Sequence, residues 1–281
     1  MKIHPTAIVE PTAEIADDVE IGPYSYIGPL VKIGPACRVL SHAVVDGKTV
    51  IGAECAIHQG AVIGGPPQDL KHDGEPTELV VGDRNTFREF VTVNTGTVHG
   101  GGRTTIGSDC MLMAYVHVAH DCVLGDNIVI ANATGLGGHI LIESGARLSG
   151  LVAIHHFATV GALAFISGCA KVVRDVPPYM VVDGNPAKIR GLNLEGLRRS
   201  GMTRESIDAL KEAYRFLYRS SLNRRQALEE IERMGAMSLP EIQKLAKFFH
   251  DSALGKRGRG REALRHDSSG GDAEEETANG D

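Results

Sequence analysis

The sequence predicts a mainly β chain in which a parallel β-helix of hexapeptide repeats is followed by a small C-terminal α-helical domain. Three observations predict it. An aliphatic residue recurs at every sixth position, a small or β-branched residue stands two places before most of them, and helical periodicity takes over near residue 190.

The first aliphatic run reads Ile3, Val9, Ile15, Ile21, Ile27, Ile33, Val39, Val45, Ile51, Ile57, Ile63, and the second Ile106, Leu112, Val118, Leu124, Ile130, Leu136, Ile142, Leu148, Ile154, Val160, Ile166, Val172. Each hexad makes one short strand and one corner, so three hexads close a triangular coil. Successive coils then stack as parallel strands ~4.8 Å apart. The fifth position also points inward, where Val19, Ser25, Cys37, Ala43, Thr49, Cys55, Cys110, Cys122 and Thr134 keep the prism narrow. Glycine often follows the aliphatic residue, as at Gly22, Gly34, Gly82 and Gly107. Strained turn angles are the expected reason.

Two stretches break the pattern. Between Gly65 and Leu79 the length keeps the phase, yet Asp69 and Glu75 replace aliphatic residues; from Val93 to Ile106 the spacing is one residue too long and contains Gly100, Gly101 and Gly102. Both read as loops leaving the prism, at about 65–79 and 94–105, and loops on a rigid scaffold carry function. The glycine triplet reads as a turn, not a phosphate loop, because no helix follows.

The β-helix is expected over 1–190. Thr203 caps a helix running to about Ser220, a shorter one lies near Arg225 to Met234, and Ser238 with Glu241 forms a capping box for a last one reaching Ala253, so the helical domain spans 191–254. From Gly255 the chain is Gly-rich and charged with little to bury, which predicts a disordered 255–281 tail.

The 281 residues are 42% hydrophobic with a net charge of −6. No run of apolar residues is long enough to span a membrane, and the start has no signal-peptide pattern, so a cytoplasmic protein is expected. The acidic balance argues against a nucleic-acid partner. Basic residues nevertheless concentrate from Arg190 to Arg225, which implies an anionic partner there. Cys37, Cys55, Cys110 and Cys122 sit at inward positions and read as reduced core residues.

Three-hexad stacking places Gly138 and then His156 over His120, so that His139, His155 and His156 share an edge of the prism with it, and His117 stands nearby. Two chemistries suit such a column. His120 beside Asp121 can act as a general base near neutral pH, or three histidines can hold zinc with an open fourth position. The spacing of His117 and His120 favours the base.

The segment Gln68, Asp69, Leu70, Lys71, with Gly74 to Thr77, Gly82 to Asn85, Gly100 to Gly102 and His117, Ala119, His120, Asp121, Cys122, resembles the UDP-N-acetylglucosamine O-acyltransferases that begin lipid A synthesis. Asp175 to Tyr179, Gly184, Asn185 and Asn193 to Leu197 extend the likeness to about residue 254. The resemblance implies a left-handed helix, a homotrimer with sites between neighbouring subunits, and transfer of a 3-hydroxyacyl group to the glucosamine 3-hydroxyl. It implies no metal and no cofactor of the protein's own, the acyl donor being carried on the phosphopantetheine of acyl carrier protein. By position, His120 is the implied base, Asp121 its partner and the Gly138 N–H the oxyanion donor. Asp69, His139 and His117 would surround the sugar, Lys71 the acyl donor, and Asn193, Glu195, His155 and Arg199 the nucleotide.

The sequence departs from that family at His156, Ser200 and Thr95, where Gln, a second Arg and an Arg are common. The related UDP-3-O-acylglucosamine N-acyltransferase, a zinc β-helix hydratase and an inert scaffold are the competing readings. Gly168, forty-eight residues and two and two-thirds coils beyond His120, lies ~13 Å further along the axis at the strand spacing, and is expected to set acyl length by leaving room in a groove.

Overall fold

The computed structural model describes residues 2–258 and Arg261. Its strands form three parallel faces. The first face has 11 strands, from Lys2–Ile3 to Lys188–Leu192; the second has 9, from Ile8–Val9 to Lys171–Val172; the third has 8, from Glu14–Ile15 to Thr159–Val160. Pairing steps along the chain by eighteen residues, as in Lys2 with Glu20, Glu20 with Arg38 and Arg38 with Ala56. The expected coil of three hexads is therefore the repeating unit.

The aliphatic columns fill the prism as the period requires, with Ile27, Ile57, Ile63, Leu112, Ile130 and Ile142 fully enclosed. Most polar fifth-position residues are satisfied by a recurring bond, the hydroxyl or thiol donating to a corner carbonyl of the next coil, whereas Thr49 donates to Asp46 O of its own coil at 2.6 Å. Ser25 Oγ reaches Leu40 O at 2.8 Å, Cys122 Sγ reaches Gly137 O at 3.1 Å, and Thr134 Oγ1 reaches Ser149 O at 2.8 Å. Short donors of this kind remove the cost of a buried polar atom. The four inward cysteines are free and buried, while Cys169 is free and exposed.

The glycines after the aliphatic residues have a different cause from the one expected. A Cβ at Gly34 would stand 2.8 Å from the Gly52 backbone, and one at Gly82 would stand 2.9 Å from that of Gly107. Close approach of coils excludes a side chain there. The left-handed backbone angles fall two residues later, on Ala36, Arg84, Asp109 and His139 among others.

Both interruptions are loops, and their lengths leave the ladder intact. Glu78 faces Lys48 thirty residues back, so 66–77 adds two hexads, and Arg103 faces Glu78 twenty-five residues back. The second loop is shorter than expected, since Arg103–Ile106 is already strand. Each loop connects a strand of the second face, Val62–Gly65 or Thr92–Asn94, to one of the third, Glu78–Val81 or Arg103–Ile106. They therefore leave from the same edge of the prism.

After the last coil, Met180–Asp183 extends the first face and turns back as antiparallel Lys188–Leu192. Four helices follow among the described residues: α1 (Leu194–Arg199), α2 (Arg204–Tyr218), α3 (Arg224–Arg233) and α4 (Pro240–Ala253). Tyr179 and Met180 join their core of Leu197, Leu210, Ile231, Leu245 and Phe248. Thr203 caps α2 as expected, and Asn223 with Gln226 closes a capping box on α3.

Two expectations are corrected. The Ser238–Glu241 box does not form, because Pro240 opens α4 with Leu239 as its N-cap, which places Glu241 one position too early to reach back. Glu241 instead accepts from Ser206 Oγ at 3.0 Å. The described start of the tail, read as disordered from Gly255, packs on the β-helix: Arg257 Nη1 meets Glu143 at 2.7 Å, and Arg261 Nη2 donates to the carbonyls of His139 and Phe157 at 2.6 and 2.7 Å. The remainder, 259–260 and 262–281, lies outside the described residues.

Candidate active site

The edge between the second and third faces carries both loops and the histidines. Loop 66–77 is pinned at its base, where Asn94 Nδ2 donates to Pro66 O at 2.8 Å and the Thr77 and Thr95 hydroxyls meet at 3.0 Å. Thr95 is thus a buried strut between the two loops. Further out, Asp69 Oδ1 accepts from the Lys71 N–H at 3.0 Å and turns the chain, with Lys71 exposed and His72 against Glu75 at 3.0 Å.

His120 lies in the corner after the strand His117–Val118. Its Nδ1 is 2.8 Å from Asp121 Oδ2, and Asp121 is buried. An ionised carboxylate only accepts, so Nδ1 carries the proton and Nε2 is left as the bare nitrogen. Burial pushes the Asp121 carboxyl up, but hydrogen bonds from His120 and from the Thr97 hydroxyl and N–H outweigh it and hold the group below its ordinary value. Burial, with the His120 charge second, lowers the pKa of His117, whose Nδ1 meets Thr92 Oγ1 at 2.7 Å.

Gly138 is one coil above His120, and a Cβ there would stand 2.5 Å from the imidazole Cε1. Only glycine lets the ring lie in this place. The Gly138 N–H donates to no acceptor among the described residues. A base and an unused backbone donor are therefore side by side, the arrangement that acyl transfer needs.

The expected histidine edge is continuous through ring contacts. His139 meets His120 edge-on at 5.1 Å and stacks on Phe157 at 4.4 Å; Phe157 meets His156 at 5.6 Å, and His156 meets His155 at 3.8 Å. His117 and His120 are not on one continuous strand, since the turn intervenes, which removes the alternation argument used to separate them. Ligand-capable atoms of His120, Asp121 and His139 lie within 4.8 Å of one another, so among the described residues the group that could hold a metal is this trio, without His117.

The other expected residues are elsewhere in the chain. Asn193 is the N-cap of α1: its Oδ1 accepts from Gly196 N–H at 3.0 Å and its Nδ2 donates to Leu163 O at 2.9 Å. Its side chain is committed to the fold and orients α1, on which Glu195 pairs with Arg199 at 2.8 Å. Ser200 donates to Leu197 O at 2.8 Å and lines a cavity of about 430 Å³ with Tyr179, Thr203 and Glu241. Leu163 belongs to the edge between the third and first faces, and Gly168 to the edge between the first and second. One chain thus distributes the expected site over three edges. Thr97 and Thr104, which hold Asp121, were legible only as loop residues.

A prism of stacked hexads with a histidine-bearing edge defines a class, the hexapeptide-repeat transferases, and residues 103–138 match the family described as bacterial transferase hexapeptide (six repeats). Residues 175–259 match the second domain of UDP N-acetylglucosamine O-acyltransferase. The structure superposes on the UDP-N-acetylglucosamine O-acyltransferase of Moraxella catarrhalis with a TM-score of 0.84 at 42% identity, over 88% of this chain and 96% of that one. The UDP-N-acetylglucosamine acyltransferase of Francisella novicida gives 0.84 at 39% identity over 87% and 90%, and that of Arabidopsis 0.79 at 35% over 89% and 96%. The chain belongs to the UDP-N-acetylglucosamine O-acyltransferase family, and its β-helix is the left-handed parallel kind.

Because the folded Asp121 pKa is lowered, its contribution to stability is fully present above the unfolded value of about 3.9 and is lost as pH falls through the folded value. Asp121→Asn is expected to make the melting temperature fall less steeply between about pH 5 and pH 2 than in the wild type, as followed by circular dichroism. Parallel curves would show that Asp121 is not held in its charged form.

Proposed function

We propose that the protein transfers a 3-hydroxyacyl group from the phosphopantetheine thioester of acyl carrier protein to the 3-hydroxyl of UDP-N-acetylglucosamine, the first step of lipid A synthesis. The observation that carries this reading is the His120–Asp121 dyad lying against the unused N–H of Gly138. Family membership supports the sugar nucleotide as acceptor.

In the reaction, His120 Nε2 takes the proton of the sugar hydroxyl as its oxygen attacks the thioester carbonyl carbon. The Gly138 N–H receives the oxyanion, and Asp121 balances the imidazolium. Collapse breaks the carbon–sulfur bond, and the imidazolium returns the proton to the leaving sulfur. A thioester carries its own leaving group, so no covalent enzyme intermediate and no cofactor of the protein is required. Asp69, His117 and His139 are the sugar-facing residues, and Lys71 on the exposed loop meets the donor. His155, Glu195 and Arg199 contact the nucleotide, with Asn193 holding α1 in place for them.

This assignment uses more than one edge, and edges of one prism cannot close on each other. We assign the working form to a homotrimer whose sites lie between copies. An exposed apolar ladder on the edge between the first and second faces supports it: Tyr24 is 63% exposed, Phe90 50%, Tyr115 62% and Leu151 64%. Acyl carrier protein is the anionic partner expected along α2 and its C-cap, where Arg204 and Lys211 share Asp208, Arg215 pairs with Glu212 and Arg219 lies over Tyr214. No helix among the described residues is long and apolar enough to cross a membrane, and we place the enzyme in the cytoplasm.

The trio His120, Asp121 and His139 supports a second reading, metal-dependent chemistry. One experiment separates the two: His120→Ala is expected to fold and to lose roughly 10² to 10⁴ in turnover, with wild-type turnover unchanged by chelators. Near-normal turnover in His120→Ala would remove the base, and loss of wild-type activity on chelation would favour the metal.

At Gly168 the backbone is not in the left-handed region, and a Cβ would make only ordinary contacts, the nearest being Gly150 O at 3.5 Å. Neither strain nor crowding demands glycine there, which supports the acyl-length role. Gly168→Met is expected to block donors longer than about ten carbons and spare shorter ones, because an overfilled groove has no slack. Equal loss across a series of acyl lengths would reject it.

A further inference from the structure

We infer that Thr97 is a positioning residue for the catalytic dyad, and that the glycine loop it opens is shaped to hold the Asp121 carboxylate. This rests on His120 acting as the base. Thr97 donates twice to Asp121, from its N–H to Oδ1 at 2.9 Å and from its hydroxyl to Oδ2 at 2.6 Å. Oδ2 is the oxygen that also meets His120 Nδ1 at 2.8 Å. One carboxylate oxygen therefore links the threonine to the imidazole.

The direction of the hydroxyl proton follows from its other partner. Thr97 Oγ1 accepts from the Gly100 N–H at 3.0 Å as the N-cap of the short 3₁₀ turn Val98–Gly100, so its own hydrogen is left to point at Asp121. From the other side, Asp121 N–H donates to Thr104 Oγ1 at 2.8 Å. Thr97, Thr104 and Asp121 are all buried, which removes water as a competing partner.

The glycine triplet divides its work accordingly. A Cβ on Gly100 would fall inside the Asp121 carboxylate, whereas Gly101 and Gly102 have open space and φ of 102° and 77°. Gly100 is glycine to let the turn close on the carboxylate; its two neighbours are glycine to make the turn. The loop thus fixes the carboxylate plane and keeps it ionised. It thereby selects the tautomer that leaves His120 Nε2 bare.

Removing the hydroxyl leaves a less stabilised carboxylate, which holds the imidazolium more tightly and raises the pH at which the base becomes active. The test compares Thr97→Val, Thr97→Ser, Asp121→Ala and the Thr97→Val/Asp121→Ala double variant in kcat, sugar KM and the pH profile of kcat/KM. Thr97→Val is expected to lower kcat about tenfold, leave the sugar KM unchanged and move the acid limb to higher pH. Thr97→Ser should restore both, and Thr97→Val should cost nothing further once Asp121 is gone. An unshifted acid limb, or a loss that adds in full to that of Asp121→Ala, would reduce Thr97 to a loop cap and overturn the inference alone. Wild-type kcat in Asp121→Ala would overturn the dyad and the inference with it. Should Thr97→Val not fold, Thr97→Ala removes the same hydroxyl without adding a methyl group, and the same upward shift of the acid limb is expected.

Discussion

Backbone stacked on backbone, coil after coil, is the constraint on which the molecule depends. Every strand is two to five residues long, too short to persist alone, and survives because identical neighbours lie on both sides. The close approach demands glycine where a Cβ would strike the next coil, as at Gly34 and Gly82. It also demands that polar inward atoms find a corner carbonyl, as Ser25 and Thr134 do. Any insertion must return the chain to the same phase, and both loops do so before the next strand begins.

That rigidity is what makes chemistry on an edge workable. A histidine on a free loop would sample many directions, whereas His120 is fixed from below by its coil, from above by the bare backbone of Gly138, and from the side by Asp121. Both loops leave from this edge, which brings Thr97 of the second loop against Asp121. Asp121 and His139 take left-handed backbone angles, with φ of 59° and 62°, at equivalent corners of successive coils.

Much of this was legible in the sequence because a period is a geometric statement. The phase of Ile, Val and Leu gave the coils, and three-hexad stacking put Gly138 over His120 and brought the histidine edge together. The legible part ends where information is not periodic. Nothing in the local pattern showed that Thr97 reaches back to Asp121 across the loop, or that Pro240 would move the start of α4 past Ser238. The packing of Arg257 and Arg261 on the β-helix was hidden because a charged, Gly-rich segment buries little by itself and finds its partners only on a finished surface. The assignment of Asn193, Glu195 and Arg199 came from a motif, and only the fold showed that Asn193, which caps the helix carrying the other two, is held at Leu163, off the histidine edge.

The central claim is that the site is assembled from two copies, because the Asn193 cap of α1 is anchored at Leu163, on a different edge of the prism from His120. Mixed assembly tests it most directly. A His120→Ala chain and a Glu195→Ala/Arg199→Ala chain, each inactive alone, are unfolded together, refolded in equal amounts and assayed for acyl transfer to UDP-N-acetylglucosamine. If neighbouring copies share a site, random assembly restores intact sites and about a quarter of wild-type activity returns. No recovery in mixed assemblies shown to contain both chains would contradict the account and place the whole site within a single chain.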